Sequence, residues 1–264
     1  MKKKVCIIYN TSKKDAIKFY EVSKEFFENC GVEVQSEIEG SAFVVVIGGD
    51  GTLLQASKDI ANHNKFAIAV NMGSLGFLTD IRRIEALQVY EDVLMGNYKL
   101  EERHMLEVEV RGEKYTGLNE VVLAKGGILQ KLIRIRASGE YYINTYRADG
   151  LIIATPTGST GYSLSAGGPI IRSNLDVLLI TPIAPHNLST RPIIVDGKEE
   201  ITLRLEGRED SAYIAVDGDD AIEVTKEDTI KIRYSDKKLK LVLPKSRNYY
   251  SVLREKLKWG DKIC

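Results

Sequence analysis

The chain has 264 residues, 44% of them hydrophobic and 28% charged, which is enough apolar material for one large core or two smaller ones. That composition excludes disorder as the expected state. Lys plus Arg and Asp plus Glu number 37 each, so no net basic field exists to draw nucleic acid or an anionic membrane.

In chain order, Val5 to Tyr9 reads as a strand, and Ala16, Phe19, Tyr20, Phe26, Phe27 and Cys30 then recur at helical spacing, with Gly31 as a left-handed stop. Ala42 to Ile47 is a wholly apolar run, followed by a helix from Thr52 to about Asn62. Phe66 to Val70 is a further strand and Ile84 to Leu94 a further helix. Strands apolar on both faces and alternating with helices predict a Rossmann-like α/β domain with a parallel sheet.

After Tyr98 the period falls to two. Leu106–Val110, Leu132–Arg136, Ile201–Leu205, Ile230–Tyr234 and Leu239–Leu243 alternate apolar with polar, with tight turns expected at Ser138-Gly139 and Asp217-Gly218. This predicts an all-β sandwich. A last helix is expected between Arg247 and Leu257, packed back on the first domain. The boundaries expected are 1–97, joined by 245–264, for the α/β domain and 98–244 for the sandwich.

Cys6, Cys30 and Cys264 lie far apart without a Cys-x-x-Cys pair, so neither a disulfide scaffold nor a cysteine-rich zinc site is expected. The opening MKKKVCIIYN breaks off into Thr11, Ser12, Lys13 and Lys14, too short for a signal sequence. No run approaches the ~20 apolar residues of a membrane span. A soluble, cytoplasmic protein is expected. His63, His104 and His186 show no metal-ligand spacing and read as structural or surface residues.

The sharpest chemical feature is Gly48-Gly49-Asp50-Gly51-Thr52, between an apolar strand and a helix. Glycines there allow positive φ angles and close approach to a ligand, and the first amides of the helix suit a phosphate. Asp50 would repel that phosphate, a conflict that resolves if it faces a hydroxyl or a metal ion. The plainer alternative is an Asp that caps the helix. Asn71 to Asp80 is a second glycine-bearing turn, either a ligand loop or a connector held by Phe77 in the core.

Asn119-Glu120 fronts a valine-rich strand; the pair suits a sugar diol, or is a plain strand edge. Arg147-Ala-Asp149-Gly150 leads into a strand and then Thr155-Pro-Thr-Gly-Ser-Thr-Gly-Tyr-Ser-Leu-Ser-Ala-Gly-Gly-Pro169. Small hydroxylated residues and Tyr162 there offer hydrogen bonds and a stacking ring, with a short helix expected from Tyr162 to Ala166. Neither a Gly-x-x-x-x-Gly-Lys-Ser/Thr loop nor a Gly-x-Gly-x-x-Gly fingerprint is present, so a P-loop ATPase and an ordinary hydride-transfer enzyme lack support.

Together and in this order, these segments resemble the NAD kinase family along nearly the whole chain. The Gly-Gly-Asp-Gly-Thr element is shared with lipid kinases and related to phosphofructokinases; Asn119-Glu120 with the Thr155 to Ser165 run is more restricted. The resemblance implies an α/β domain and a β-sandwich with NAD bound between them. It implies Asp50 as the catalytic carboxylate facing the adenosine 2′-hydroxyl, with Gly51 beside the ligand. Gly48, Gly49, Gly51 and Thr52 would meet phosphate. Leu75, Gly76 and Phe77 would line the adenosine end, and Asn119 and Glu120 would hold ribose hydroxyls. Thr160, Gly161, Tyr162, Ser163, Leu164 and Ser165 would contact the adenine and its ribose, with Thr157, Ala184, Arg147 and Asp149 completing the pocket.

The resemblance further implies ATP or polyphosphate as donor, magnesium near Asp50, and a homodimer or homotetramer, since a neighbouring subunit supplies part of the pocket in many members. Two positions depart from the family pattern. Asp217-Gly218-Asp219 stands where many bacterial relatives have Asp-Gly-Gln, and Gln130 where relatives often have a basic residue. A lipid or sugar kinase with the same glycine-rich centre, and a non-catalytic dinucleotide sensor, are the rival expectations.

Overall fold

The computed structural model describes residues 3–73, 76–126, 132–207, 211–219, 221–244 and 249–259. The chain divides into two compact units, residues 1–103 with 237–264, and residues 104–236.

The first unit opens with β1 (Lys4–Tyr9), α1 (Lys14–Asn29), β2 (Glu33–Gln35), β3 (Phe43–Gly48), α2 (Asp50–Asn62) and β4 (Phe66–Asn71). It continues through β5 (Ile81–Arg82) and α3 (Arg83–Leu94) into the long β6 (Lys99–Val110). The strand order β4-β3-β1-β2 is parallel throughout, β5 adds to β4 in parallel, and β3 is buried along its whole length. A central parallel strand is covered on both faces, which is why Phe43–Gly48 carries no polar side chain. Helix α1 ends as its periodicity predicts: Gly31 takes φ 75°, and the amides of Gly31 and Val32 turn back to Glu28 and Phe27. Tyr90 of α3 closes the core against Phe26 and Phe27 of α1.

The second unit contains β7 (Glu113–Gly117), β8 (Glu120–Ala124), β9 (Ile133–Ser138), β10 (Tyr142–Ala148), β11 (Gly150–Ala154) and the short α4 (Tyr162–Ser165). It continues through β12 (Val177–Ile183), β13 (Ile193–Asp196), β14 (Ile201–Glu206), β15 (Ser211–Val216) and β16 (Ile222–Thr225) into β17 (Ile230–Leu243); α5 (Tyr249–Leu257) follows. One sheet runs β13-β12-β11-β8-β15-β16, antiparallel throughout. The other contains β10-β9-β14 and the start of β17, with β6 and β7 paired as a hairpin. Alternate residues of both sheets, among them Val121, Leu123, Ile135, Leu151, Leu203 and Ile214, form one core, which is the packing of a sandwich.

Three features differ from the sequence reading. Ile230–Tyr234 and Leu239–Leu243 are one strand, β17, whose last residues pair with β4 in the first unit (Lys240 with Phe66, Leu241 with Ala67). The strands β2 and β5, three and two residues long, carry too few positions to show a period. And none of Gly48, Gly49 and Gly51 has a positive φ. Within the first unit α5 returns to the α/β domain, pairing Glu255 with Arg82 and setting Lys256 over the Phe77 ring.

Candidate functional site

The predicted site residues fall into two groups, one in each unit. In the first, β3 delivers its chain end to α2. The N-cap is Gly49, in extended conformation, and no side chain caps the helix. Asp50 therefore does not serve as a cap. Its carboxylate turns to residues 77–79 instead: Oδ2 accepts the Phe77 amide at 2.9 Å, and Oδ1 accepts the amides of Leu78 (3.2 Å) and Thr79 (2.9 Å) and the Thr79 hydroxyl (2.9 Å). Four donors lock its rotamer while Oδ2 keeps room for a further donor.

Two of the glycines around Asp50 have steric causes. A Cβ on Gly76 would lie 1.8 Å from Asp50 Oδ1, and one on Gly48 2.3 Å from Thr52 Oγ1. By contrast, a Cβ on Gly49 or Gly51 would meet nothing within 4 Å, so the chain itself does not require glycine there. Space left open beside the first amides of a helix is what an approaching anion uses. Asn71, buried at the end of β4, donates through Nδ2 to the Thr79 hydroxyl (2.7 Å) and carbonyl (3.1 Å). Phe77 is half-buried and does not fill the core. Leu75 lies outside the described residues.

In the second group, Asn119 and Glu120 enter β8 with buried oxygens, Asn119 Oδ1 and Glu120 Oε2, that have no hydrogen-bond partner among the described residues. Leaving a buried acceptor unsatisfied costs about 1–3 kcal/mol, so a ligand hydroxyl donor at each would recover that energy. Burial, and then the nearby Asp217 carboxylate, push the Glu120 carboxyl up to about 7, against a smaller opposing effect of the Tyr162 amide.

The segment from Thr155 to Gly168 packs directly on this pair. A Cβ on Gly158 would lie 2.1 Å from the Asn119 carbonyl, and one on Gly161 3.0 Å from Glu120 Oε2. Thr157 is buried and its carbonyl accepts the Thr160 hydroxyl at 3.2 Å. Tyr162 is 45% exposed, its ring available for stacking, and Ser165 is exposed with Leu164 half-buried. The Ser163 hydroxyl is buried and shared with Thr181 at 2.8 Å, so it is already used within the fold. Gly167 ends the short helix with φ 87°.

Arg147 is exposed on β10 and its carbonyl accepts the His186 amide, while Asp149 pairs with Lys125 at 2.6 Å. Ala184 follows β12 in a left-handed conformation, φ 44°, which a non-glycine residue adopts only at a cost. Asp219 is exposed, and Gln130 lies outside the described residues. Sequence reasoning missed Asn71, Thr79 and Lys125 as partners of site residues, and read Asp217 as a turn residue within the Asp-Gly-Asp segment, without its contacts to residues 118–120. Among the described residues no group of three or more His, Cys, Asp or Glu could hold a metal, and no helix is long and apolar enough to cross a membrane.

Comparison with known proteins adds an independent line. The family model for the ATP-NAD kinase N-terminal domain matches residues 6–98, and that for the ATP-NAD kinase C-terminal domain matches residues 118–243. An NAD kinase from Fusobacterium nucleatum is 46% identical over 272 residues, spanning 99% of each chain. One from Geotalea daltonii is 44% identical over 230 residues, 85% of this chain and 81% of that one. Among solved structures, yeast NADH kinase complexed with NADH superposes with a TM-score of 0.81 at 22% identity, covering 100% of this chain and 89% of that one. An NAD kinase from Archaeoglobus fulgidus in complex with ATP gives 0.78 at 23% identity, covering 96% and 99%. At these identities the two structures show the fold.

Proposed function

The chain belongs to the NAD kinase family, and we propose that it moves the terminal phosphoryl group of ATP to the 2′-hydroxyl of the adenosine ribose of NAD, giving NADP. The observation that carries the acceptor side is the pair of buried oxygens of Asn119 and Glu120 awaiting two hydroxyl donors. The lipid- or sugar-kinase and sensor readings gain no support from the relatives, which are named NAD kinase.

Asp50 is the catalytic carboxylate. Its Oδ2 receives the ribose hydroxyl and orients the oxygen lone pair toward the terminal phosphorus. A bond forms between that oxygen and phosphorus, the bond from phosphorus to the bridging oxygen breaks, and ADP leaves with the electron pair. The hydroxyl proton passes to Asp50 and on to water. In a loose transition state that proton departs late, so a strong base is unnecessary. Magnesium would be held chiefly by phosphate and water ligands, which this ion keeps in preference to a protein cage, with the Asp50 charge as its protein neighbour. When bound, it neutralises phosphate charge.

The open space at Gly49 and Gly51, with Gly48 and Thr52 beside it, takes phosphate oxygens. Leu75, Gly76 and Phe77 belong to the adenosine end. Tyr162 supplies a stacking ring, with Thr157, Thr160, Gly161, Leu164 and Ser165 around the adenine and its ribose; Ser163, its hydroxyl committed to Thr181, contributes through its backbone. Arg147, Asp149 and Ala184 complete the pocket, in a homodimer or homotetramer where a neighbouring subunit shares it. Polyphosphate is the alternative donor, and three scattered cysteines support a cytoplasmic setting. Incubating the purified chain with ATP, magnesium and NAD and detecting NADP with an NADP-specific dehydrogenase tests this reading. NADP formation is expected; phosphorylated lipid or sugar instead, or NAD binding without turnover, contradicts it.

A further inference from the structure

Leu118 and Asn119 join β7 to β8, where the backbone leaves the ladder and its amides need other acceptors. One side chain takes all of them. Asp217, in the turn between β15 and β16, accepts the Leu118 amide at 2.5 Å through Oδ2, and the amides of Asn119 (2.8 Å) and Glu120 (3.0 Å) through Oδ1. Its own amide returns to the Glu120 carbonyl at 2.9 Å. On the other side Thr155 holds the remaining polar groups, its hydroxyl donating to the Leu118 carbonyl (2.7 Å) and its amide to the Asn119 carbonyl (2.9 Å). The backbone under the two waiting oxygens is thus fixed from both sides.

A turn alone does not call for this arrangement. Asp217 at φ 53° and Gly218 at φ 82° satisfy a tight hairpin that Asn-Gly would make equally well. A carboxylate placed there is instead buried against its own preference: burial raises its proton affinity, only backbone amides oppose this, and Asp219 and Glu120 add like charge nearby. Gly117 also yields to it, since a Cβ there would lie 2.5 Å from Val216 and 3.1 Å from Asp217 Oδ1.

We propose that Asp217 is a positioning residue for the nucleotide's diol: by gathering the amides of Leu118, Asn119 and Glu120, it sets where the side-chain oxygens of Asn119 and Glu120 meet two ribose hydroxyls. The proposal rests on the reading of Asn119 and Glu120 as NAD contacts. Asn at position 217 keeps one acceptor and tolerates the left-handed backbone, but presents an amide group to the Leu118 donor.

The test is steady-state kinetics of full-length Asp217→Asn. KM for NAD rises about 10-fold, while kcat stays within about threefold and KM for ATP does not change. The pH midpoint of NAD affinity that belongs to Glu120 moves lower, because a negative neighbour has gone. Unchanged NAD affinity and midpoint overturn the proposal, as does an equal loss of kcat and of affinity for both substrates. Asn119→Ala and Glu120→Gln separate the two layers. If they weaken NAD binding and Asp217→Asn does not, the proposal falls and the contacts stand; if none of the three changes NAD affinity, both fall. Should Asp217→Asn not fold, Asp217→Glu decides: it keeps the charge and the Glu120 midpoint but misplaces the acceptors, so KM for NAD still rises, and a wild-type KM overturns the proposal.

Discussion

The Thr79 hydroxyl and the Thr79 amide both donate to Oδ1 of Asp50, each at 2.9 Å. Asn71 in turn donates to that hydroxyl at 2.7 Å, which leaves its proton no direction but the carboxylate. The orientation of Asp50 is therefore set by the amides of residues 77–79 together with side chains that need not touch substrate.

Thr79→Val keeps the shape and the amide bond but removes the hydroxyl. Turnover is expected to fall about 10-fold, the value of one hydrogen bond of ~1.4 kcal/mol in the barrier, with KM for NAD little changed. Steady-state kinetics beside a melting curve check this; a raised KM at unchanged kcat would assign Thr79 to binding instead.

The glycines around Asp50 divide into two kinds. Gly76→Ala and Gly48→Ala drive a methyl into Asp50 and Thr52 and are expected to lower both stability and turnover. Gly51 lies in the first turn of α2 with open space around it, so Gly51→Ala should hold or raise stability, by up to ~1 kcal/mol from helix propensity. Its turnover should nonetheless drop, since the methyl takes the space assigned to phosphate. Thermal unfolding and activity on the same samples decide; a Gly51→Ala protein of normal activity removes the phosphate from that position.

Much of this was legible in the sequence, and the parts that were not have separate physical causes. Gly31, the Asp217-Gly218 turn and the short helix at Tyr162 announce themselves because their signals are local: a left-handed residue, a two-residue turn, glycines after a hydroxylated run. The continuity of β17 was hidden because Ser235 to Lys238 interrupts the alternation, although the strand runs on to pair with β4. The roles of Thr79 and Asp217 were hidden for a different reason. Each carboxylate–donor set joins residues 27 to 29 or 97 to 99 positions apart, and no periodicity reports a hydrogen bond across that distance. Glycine also misled. In Gly48-Gly49-Asp50-Gly51 no glycine is required by φ, Gly48 answers to space, and Gly49 and Gly51 answer to neither within the chain; composition does not distinguish these cases.

Glu120 makes a prediction about pH. Its carboxyl is raised from 4.5 to about 7 in the fold, so between those values the native state holds a proton that the unfolded chain has released. The unfolded state then binds fewer protons, and stability falls as pH rises from about 4.5 to about 7, by at most roughly 3 kcal/mol. Denaturant midpoints of wild type and Glu120→Gln across pH 5 to 8 test it. The variant should lack this component and gain relative stability toward pH 8, while binding NAD more weakly; parallel curves would contradict the burial of that charge.

The most direct measurement of the central claim separates binding from chemistry at Asp50. Asp50→Asn is expected to fold and to bind NAD, and to form NADP at least ~10²-fold more slowly than wild type with saturating ATP and magnesium, as loss of a positioned proton acceptor requires. Calorimetric NAD affinity and initial NADP formation on one preparation give both readings. NADP formation near the wild-type rate would contradict the account and take the transferred phosphoryl group away from this carboxylate.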